Sequence, residues 1–304
     1  MTSTNSSSHY STQLHHSSDD IDLERIKHEV LQQRIREAQE LASRVITLPD
    51  GKRIFRRFDR SQRYQHLVLL SSFSLLAFTG LLQSFSEHPV VATIINLLGG
   101  IEGLRTIHRL AAIALIAVSV FHLWQILEIW FVRRQRGSMW PQIKDFKDLL
   151  HMILYNTDRR AEPPKFDRFS IDEKIEYWAL LWGQVLMIVT GIIMWLPLLI
   201  TKLLPGSAIP IARALHSWEA LLAVLSILIW HMYHTQIKTR NRSIFTGYLS
   251  EEEMIHEHPL EYERIMAAHE FLQRIQAGKE ARQTSELGQR SNPEKPEELL
   301  PLSI

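Results

Sequence analysis

The chain has 304 residues, a formal net charge of +1 and an apolar fraction of 45%. It contains no cysteine, which excludes disulfides, thiolate-held iron–sulfur clusters and cofactors attached through thioether bonds. The apolar fraction looks ordinary only because polar termini dilute a strongly apolar middle, and that middle overrides the soluble-domain expectation set by length alone.

Residues 1–20, MTSTNSSSHYSTQLHHSSDD, are low in complexity and are expected to form a disordered polar tail, with no secretory signal peptide. Residues 21–50 are expected as a cytoplasmic amphipathic helix: Leu23, Ile26, Val30, Leu41 and Val45 recur at helical steps among Glu, Arg and Lys. After the basic stretch GKRIFRRFDRSQR come four apolar runs, at about 65–85, 108–132, 177–201 and 215–235. Each is close to the roughly 20 residues that a spanning helix needs. Between the second and third, Ile143, Phe146, Leu149, Leu150, Ile153 and Leu154 form one face of a short helix expected to lie flat at the membrane surface.

The loops set the orientation. Arg53, Arg56, Arg57, Arg60 and Arg63 precede the first run. Arg133, Arg134, Arg136, Lys144, Lys147, Arg159, Arg160, Lys165 and Arg168 lie between the second and third, and Lys238, Arg240 and Arg242 follow the fourth. The other loops carry only Arg105, then Lys202 and Arg213. The positive-inside bias puts both termini and the 133–176 loop in the cytoplasm. The fold class expected is all-α: an integral membrane four-helix bundle over residues 51–240, with cytoplasmic N- and C-terminal extensions, the latter over 241–304.

The histidines carry the chemistry. His108 and His122 are fourteen residues apart in one run, and His216 and His231 are fifteen apart in another. At about 1.5 Å per residue these separations are roughly 21–22 Å, most of a bilayer core about 30 Å thick. Imidazoles, Glu128 and Glu219 are costly at such depths unless they face a protein interior or a cofactor. By depth, His108 and His216 share an outer layer, whereas His66, His122 and His231 share an inner one. Imidazole suits iron, and a haem has two axial positions. The outer layer offers His108 with His216; the inner offers His231 with either His66 or His122. Two non-covalent b haems are the expected cofactors. Structural zinc would need a compact tetrahedral cluster instead. Arg109, Arg105 and Arg213 near the outer layer, and Arg63 near the inner, are placed to pair with haem propionates. His234, three residues beyond His231, is a candidate for quinone or proton chemistry.

A faint internal repeat runs through the spans. Thr79-Gly80 in LAFTGLL matches Thr190-Gly191 in MIVTGII, and His66 and Tyr177 each lie thirteen residues before their threonine. Such glycines let a helix or a porphyrin approach the backbone closely.

RSQRYQHLVLLSSFSLLAFTGLL, HRLAAIALIAVSVFHL, EKIEYWALLWGQVLMIVTGIIMWLP and HSWEALLAVLSILIWHMY, continued by HEHPLEY, resemble in order the di-haem b-type cytochrome subunits of formate dehydrogenases, nickel–iron hydrogenases and thiosulfate reductases. The resemblance covers about residues 55–265. It implies His66 with His231 at the inner haem and His108 with His216 at the outer. It also implies a quinone site beside the inner haem, at the start of the third span and the end of the fourth; here the candidates are Asp172, Glu173, His231 and His234. Two features depart from the formate dehydrogenase pattern: Asp172-Glu173-Lys174 stands in place of uncharged amides, and His122 gives the second span two histidines, as in the cytochrome b of bc-type complexes.

The function expected is a subunit of the bacterial inner membrane that carries electrons between quinone and a redox partner. That partner would be a multihaem cytochrome c, an iron–sulfur protein or a molybdenum or nickel enzyme subunit. No nucleotide loop or hydrolytic constellation is present, so substrate chemistry is expected on that partner; membrane lipid is a further partner and nucleic acid is not. The alternatives are a stand-alone b-type cytochrome with a diffusible acceptor and a non-redox membrane anchor. Reduced-minus-oxidised visible spectra separate the last from the others.

Overall fold

The computed structural model describes the backbone of residues 7–132 and 138–290; Arg133, Arg134, Arg136 and the first six residues of the expected tail lie outside them. In chain order the helices are α1 (Ser7–Ala42), α2 (Arg60–Ser84), α3 (Pro89–Leu97), α4 (Gly100–Leu127), α5 (Ile143–Asn156), α6 (Ile171–Trp195), α7 (Pro197–Ile200), α8 (Ala208–Leu225), α9 (Ser243–Thr246), α10 (Glu251–Glu257) and α11 (Pro259–Arg290). The strands among the described residues are β1 (Val45–Thr47), β2 (Arg53–Arg56) and β3 (Tyr248–Ser250), all short. The chain divides into two units, Met1–Ile46 with Tyr262–Ile304, and Thr47–Glu261.

In the first unit the helix expected from residue 21 begins at Ser7. No proline or glycine interrupts Ser7–Ala42, so nothing in the backbone stops the helix from extending through the polar residues. Ala38, Ile265 and Ala268 are the buried apolar residues of this unit among those described.

The second unit holds the membrane bundle. Among the described residues, four helical stretches are long and apolar enough to span: Arg60–Ser84, Gly100–Val132, Ile171–Trp195 and Ala208–Lys238. Only between 6% and 17% of the residues in their apolar windows are buried within the chain, so the outward Leu, Ile, Val, Phe and Trp side chains need a lipid solvent rather than water. α2 starts in a capping box: Gln62 N–H donates to Asp59 Oδ1 at 2.8 Å and Asp59 N–H to Gln62 Oε1 at 3.0 Å. Ser170 and Glu173 make the same box for α6. The third span, expected to reach residue 201, ends at Trp195 because Pro197 has no N–H to continue the ladder, and the chain restarts as α7. α2 packs along α4, and α6 along α8, so the bundle is built from two antiparallel hairpins. Between the first two spans, α3 folds back and buries Ile95 against Leu82 and Leu104. We call this the hairpin end and the opposite one the arm end.

At the arm end, α5 forms the expected amphipathic helix. Its exposed face is Ile143, Phe146, Leu150 and Ile153, and its inner face is pinned by Asp145, whose two carboxylate oxygens each lie 2.8 Å from Lys174 Nζ. β2 and β3 pair antiparallel with Phe55 opposite Leu249, both 1% exposed. Gly247, at φ 90°, turns the chain into β3, and its carbonyl accepts from Arg57 N–H at 2.9 Å. A side chain there would press on the Phe58 carbonyl at 3.1 Å as well as strain the backbone.

These arm segments are joined by a buried ionic cluster. Arg57, 3% exposed, reaches Glu173 at 2.9 Å and Glu261 at 3.7 Å. Arg168 meets Glu261 at 3.0 Å and donates to the Arg57 carbonyl at 3.0 Å. The Arg57 guanidinium lies 4.5 Å from the Phe169 ring centre. One side chain thus ties the entry of α2 to the entry of α6 and to the first residues of α11. Removing one member of such a cluster strands the others, which typically costs about 3–5 kcal/mol. Arg57→Met is expected to lower stability by that amount in detergent denaturation, with the loss concentrated in the arm segments by amide exchange.

Beside the cluster, burial, reinforced by Glu173, pushes the Glu257 carboxyl up to about 7. Burial, reinforced by Arg57, pushes the His258 imidazole down to about 4. For Glu257 the folded value exceeds the unfolded one, so its contribution to stability is full below about 4.5 and is lost as pH rises through about 7. For His258 the folded value is the lower, so its contribution is present above about 6.5 and is lost as pH falls through about 4. The two slopes oppose each other in the overlapping window. Glu257→Gln, which keeps an acceptor for Asn241 Nδ2 (3.0 Å), should therefore stabilise the protein by about 1–3 kcal/mol at alkaline pH. The gain should vanish toward the unfolded carboxylate value when thermal unfolding is followed across pH.

Candidate functional site

The histidines form two facing pairs, one at each end of the bundle. At the hairpin end, His108 of α4 and His216 of α8 have ring centres 6.5 Å apart. At the arm end, His66 of α2 and His231 have ring centres 6.4 Å apart.

The hairpin-end pair is positioned by the internal repeat. Thr79 Oγ1 lies 2.7 Å from His108 Nδ1, and Thr190 Oγ1 lies 2.9 Å from His216 Nδ1. Each threonine also donates its hydroxyl hydrogen to the carbonyl four residues back, Leu75 and Leu186, both at 2.7 Å. That hydrogen being spent, the oxygen accepts from the imidazole, so both rings carry Nδ1–H and leave the Nε2 lone pair free to ligate. The neighbouring glycines have a matching task. A methyl at Gly80 would rest 3.5 Å from His108 Cε1, and one at Gly191 3.5 Å from His216 Cε1. Cε1 lies between the two ring nitrogens, so each glycine sits beside the ligating edge of its ring. The Thr-Gly repeat, whose glycines alone had an expected role, is one half-site written twice.

The arm-end pair is not related by the repeat. The repeat equates His66 with Tyr177 and His122 with His231, which creates two equivalent positions at that depth. One holds His66 and His231. The other holds His122 and Tyr177, with His122 Nε2 at 3.0 Å from the Tyr177 hydroxyl and His122 Nδ1 at 2.9 Å from Gln65 Oε1. Both nitrogens of His122 are thereby engaged. Gln65 continues the network to Gln125 at 2.7 Å and Ser61 at 3.0 Å.

His231 reaches its position through a π-helical turn. α8 passes at Ser226 into π-helix, Ser226–His231, followed by a second π-helical stretch, Tyr233–Lys238. Each residue of an α-helix turns the chain by about 100°. A fifteen-residue spacing would therefore point His231 about one such step away from the direction a fourteen-residue spacing gives. The π-turn takes up the extra residue and restores the facing direction.

The His231 ring is backed by a carboxylate: Glu176 Oε2 lies 2.9 Å from His231 Nδ1. Glu176 also lies 3.9 Å from His234 Nδ1, whereas Asp172 lies 3.9 Å from His234 Nε2 and 4.0 Å from Lys238 Nζ. Asp172, Glu176, His231, His234 and Lys238 thus gather at one place. Of the four quinone candidates, Glu173 lies apart from this group, since its carboxylate closes the α6 capping box and meets Arg57. Glu176 was not among the expected residues; an acid one turn inside an apolar span was its available signal. Arg109, expected at a propionate, stacks over Trp195 at 5.5 Å from the ring centre, and Arg105 pairs with Glu102 at 2.6 Å.

The donor set fits haem. A metal–imidazole bond is about 2.0–2.1 Å and a ring centre lies about 1 Å beyond its nitrogen, so two trans imidazoles on one metal have centres about 6 Å apart. The observed 6.4 and 6.5 Å match that separation, and three of the four rings have Nδ1 held by a hydrogen-bond acceptor, as the non-ligating nitrogen of a metal-bound histidine commonly is. Comparison with curated proteins gave no match. Residues 57–247 match the prokaryotic cytochrome b561 family. That match takes in more than half of the chain, the four spans and both histidine pairs, and the chain accordingly belongs to the prokaryotic cytochrome b561 family, as a haem-binding b-type cytochrome of the membrane that takes part in electron transfer.

Proposed function

We infer that the chain holds two b haems, one between His108 and His216 and one between His66 and His231, and conducts electrons through the membrane between quinone and a redox partner subunit. The observation that carries this reading is the presence of two facing imidazole pairs, at 6.5 and 6.4 Å, at opposite ends of the same four helices. When bound, haem supplies a one-electron iron couple at each pair. The chain's own residues do the rest. Thr79 and Thr190 fix the tautomers, the two glycines clear the approach, and the spanning helices exclude water from the ligating nitrogens.

Quinone chemistry is assigned to the arm end, beside His231. Quinone reduction takes up protons and so needs titratable groups with access to water. Asp172, His234 and Lys238 form such a group at the exit of the fourth span, and the hairpin end has nothing comparable among the described residues that face its histidine pair. The arginine-rich loops favour a cytoplasmic arm end, in keeping with a subunit of a bacterial inner membrane. The hairpin end then faces the partner, which carries the substrate chemistry.

Pyridine haemochrome assay of fully loaded protein should give two haems per chain. His216→Ala and His66→Ala should each lose one, at the hairpin and arm ends respectively, whereas His122→Ala should retain both. Loss of a haem in His122→Ala with retention of both in His66→Ala would reassign the arm-end pair. For the quinone site, His234→Ala and Asp172→Asn variants that bind both haems should oxidise a quinol analogue about a hundredfold or more slowly, the lower end of acid–base contributions. Unchanged rates in both variants would move the site elsewhere.

A further inference from the structure

The two histidine pairs differ in what stands behind their rings. At the hairpin end both Nδ1–H groups donate to neutral threonine hydroxyls whose hydrogens are committed to backbone carbonyls. At the arm end His231 Nδ1–H donates to a carboxylate, Glu176 Oε2, at 2.9 Å. A carboxylate acceptor pulls the Nδ1 proton toward itself and makes the opposite nitrogen a stronger donor to a metal. It also sets a negative charge one imidazole away from the metal position, in a span where the dielectric is low. Both effects favour the more positively charged iron, and among the described residues no carboxylate hydrogen-bonds a ring of the hairpin-end pair. The neighbouring charges do not cancel them. Lys238 Nζ lies 4.0 Å from Asp172, and His234 lies between Asp172 and Glu176 at 3.9 Å from each. Among the described residues, Glu176 alone makes a hydrogen bond of ordinary length to the His231 ring.

We propose that Glu176 is a positioning and tuning residue that lowers the reduction potential of the arm-end haem selectively, by holding His231 in its Nδ1–H form and strengthening it as a ligand. The proposal rests on the ligand pairs inferred above. It gives two centres of the same chemical type different affinities for an electron, through a residue that acts by way of the His231 ring.

The test is potentiometric titration of the full-length, fully loaded membrane protein, read by visible spectroscopy and by the ferric low-spin signals in paramagnetic resonance. Glu176→Gln keeps an acceptor for His231 and removes the charge. It should raise the ferrous-to-ferric ratio of the arm-end haem at a given ambient potential at least tenfold, an upward shift of about 59 mV for a one-electron couple. The hairpin-end haem should not move. Glu176→Asp, which retains the charge, should stay near the wild-type potential. If Glu176→Gln does not retain haem, the shorter pair Glu176→Asp and Glu176→Asn provides the same charged-against-neutral comparison. His231→Ala identifies the arm-end haem by its loss. Both haems present in His231→Ala would overturn the ligand reading. One haem lost in His231→Ala, with both potentials unchanged in the neutral Glu176 variants, would overturn the role of Glu176 and leave the ligand pairs standing. Equal shifts at both haems would also overturn it, since selectivity is the claim.

Discussion

An imidazole carried into an apolar span needs a partner for each of its two nitrogens, and the inner surface of this bundle is arranged around that demand. Unpaired polar atoms at such depth cost several kcal/mol, so each ring is both an expense and an orienting device. At His108 and His216 the expense is met by a threonine whose own hydrogen is already committed. This forces the hydrogen bond to run in one direction and fixes which nitrogen is free. At His122 both nitrogens are paired within the protein. The same residue type thus serves as a half-finished bond in one place and a closed one in another, and the difference lies entirely in the neighbours.

The spans and the depth of the histidines were legible in sequence because apolar run length and helical rise are one-dimensional quantities. The Thr-Gly repeat was legible as a pattern. Its meaning was not, because it depends on helix α2 lying against α4 and α6 against α8, and pairing is not a property of a run. The choice between His66 and His122 opposite His231 was open for a related reason: the two differ in facing direction, not in depth. The fifteen-residue spacing gave a hint, but only the π-helical turn resolves where His231 points. Glu176 escaped notice beside Asp172 and Glu173, which as neighbouring acids in the first turn suggested one function together. In the fold they separate, with Glu173 turned to Arg57 and Asp172 and Glu176 turned to the histidines of the fourth span.

The arm end shows how basic residues serve two ends. Arginines near a span set orientation by their number, which is all that counting can see. Arg57 and Arg168 are also buried members of a cluster with Glu173 and Glu261. Residues read as a basic stretch and as a C-terminal tail contribute a paired sheet, a glycine turn and a buried glutamate. Such contacts join segments far apart in sequence, by 93 residues for Arg168 and Glu261 and 116 for Arg57 and Glu173, and no local pattern carries them. Their placement at the entries of α2 and α6 holds in register the two helices that bear the Thr-Gly motifs.

The pairing of the spans has a consequence for how the molecule is assembled. Each hairpin, α2 with α4 and α6 with α8, supplies one imidazole to each of the two sites, and neither hairpin contains a complete site. A prosthetic group bound at either place is therefore shared between halves that enter the membrane one after the other during synthesis. Its binding free energy counts as association free energy for those halves, in the way that any ligand specific for a folded state stabilises that state. Cofactor binding at either place would then add to the Arg57 cluster, which already joins the two hairpins at their arm-end entries.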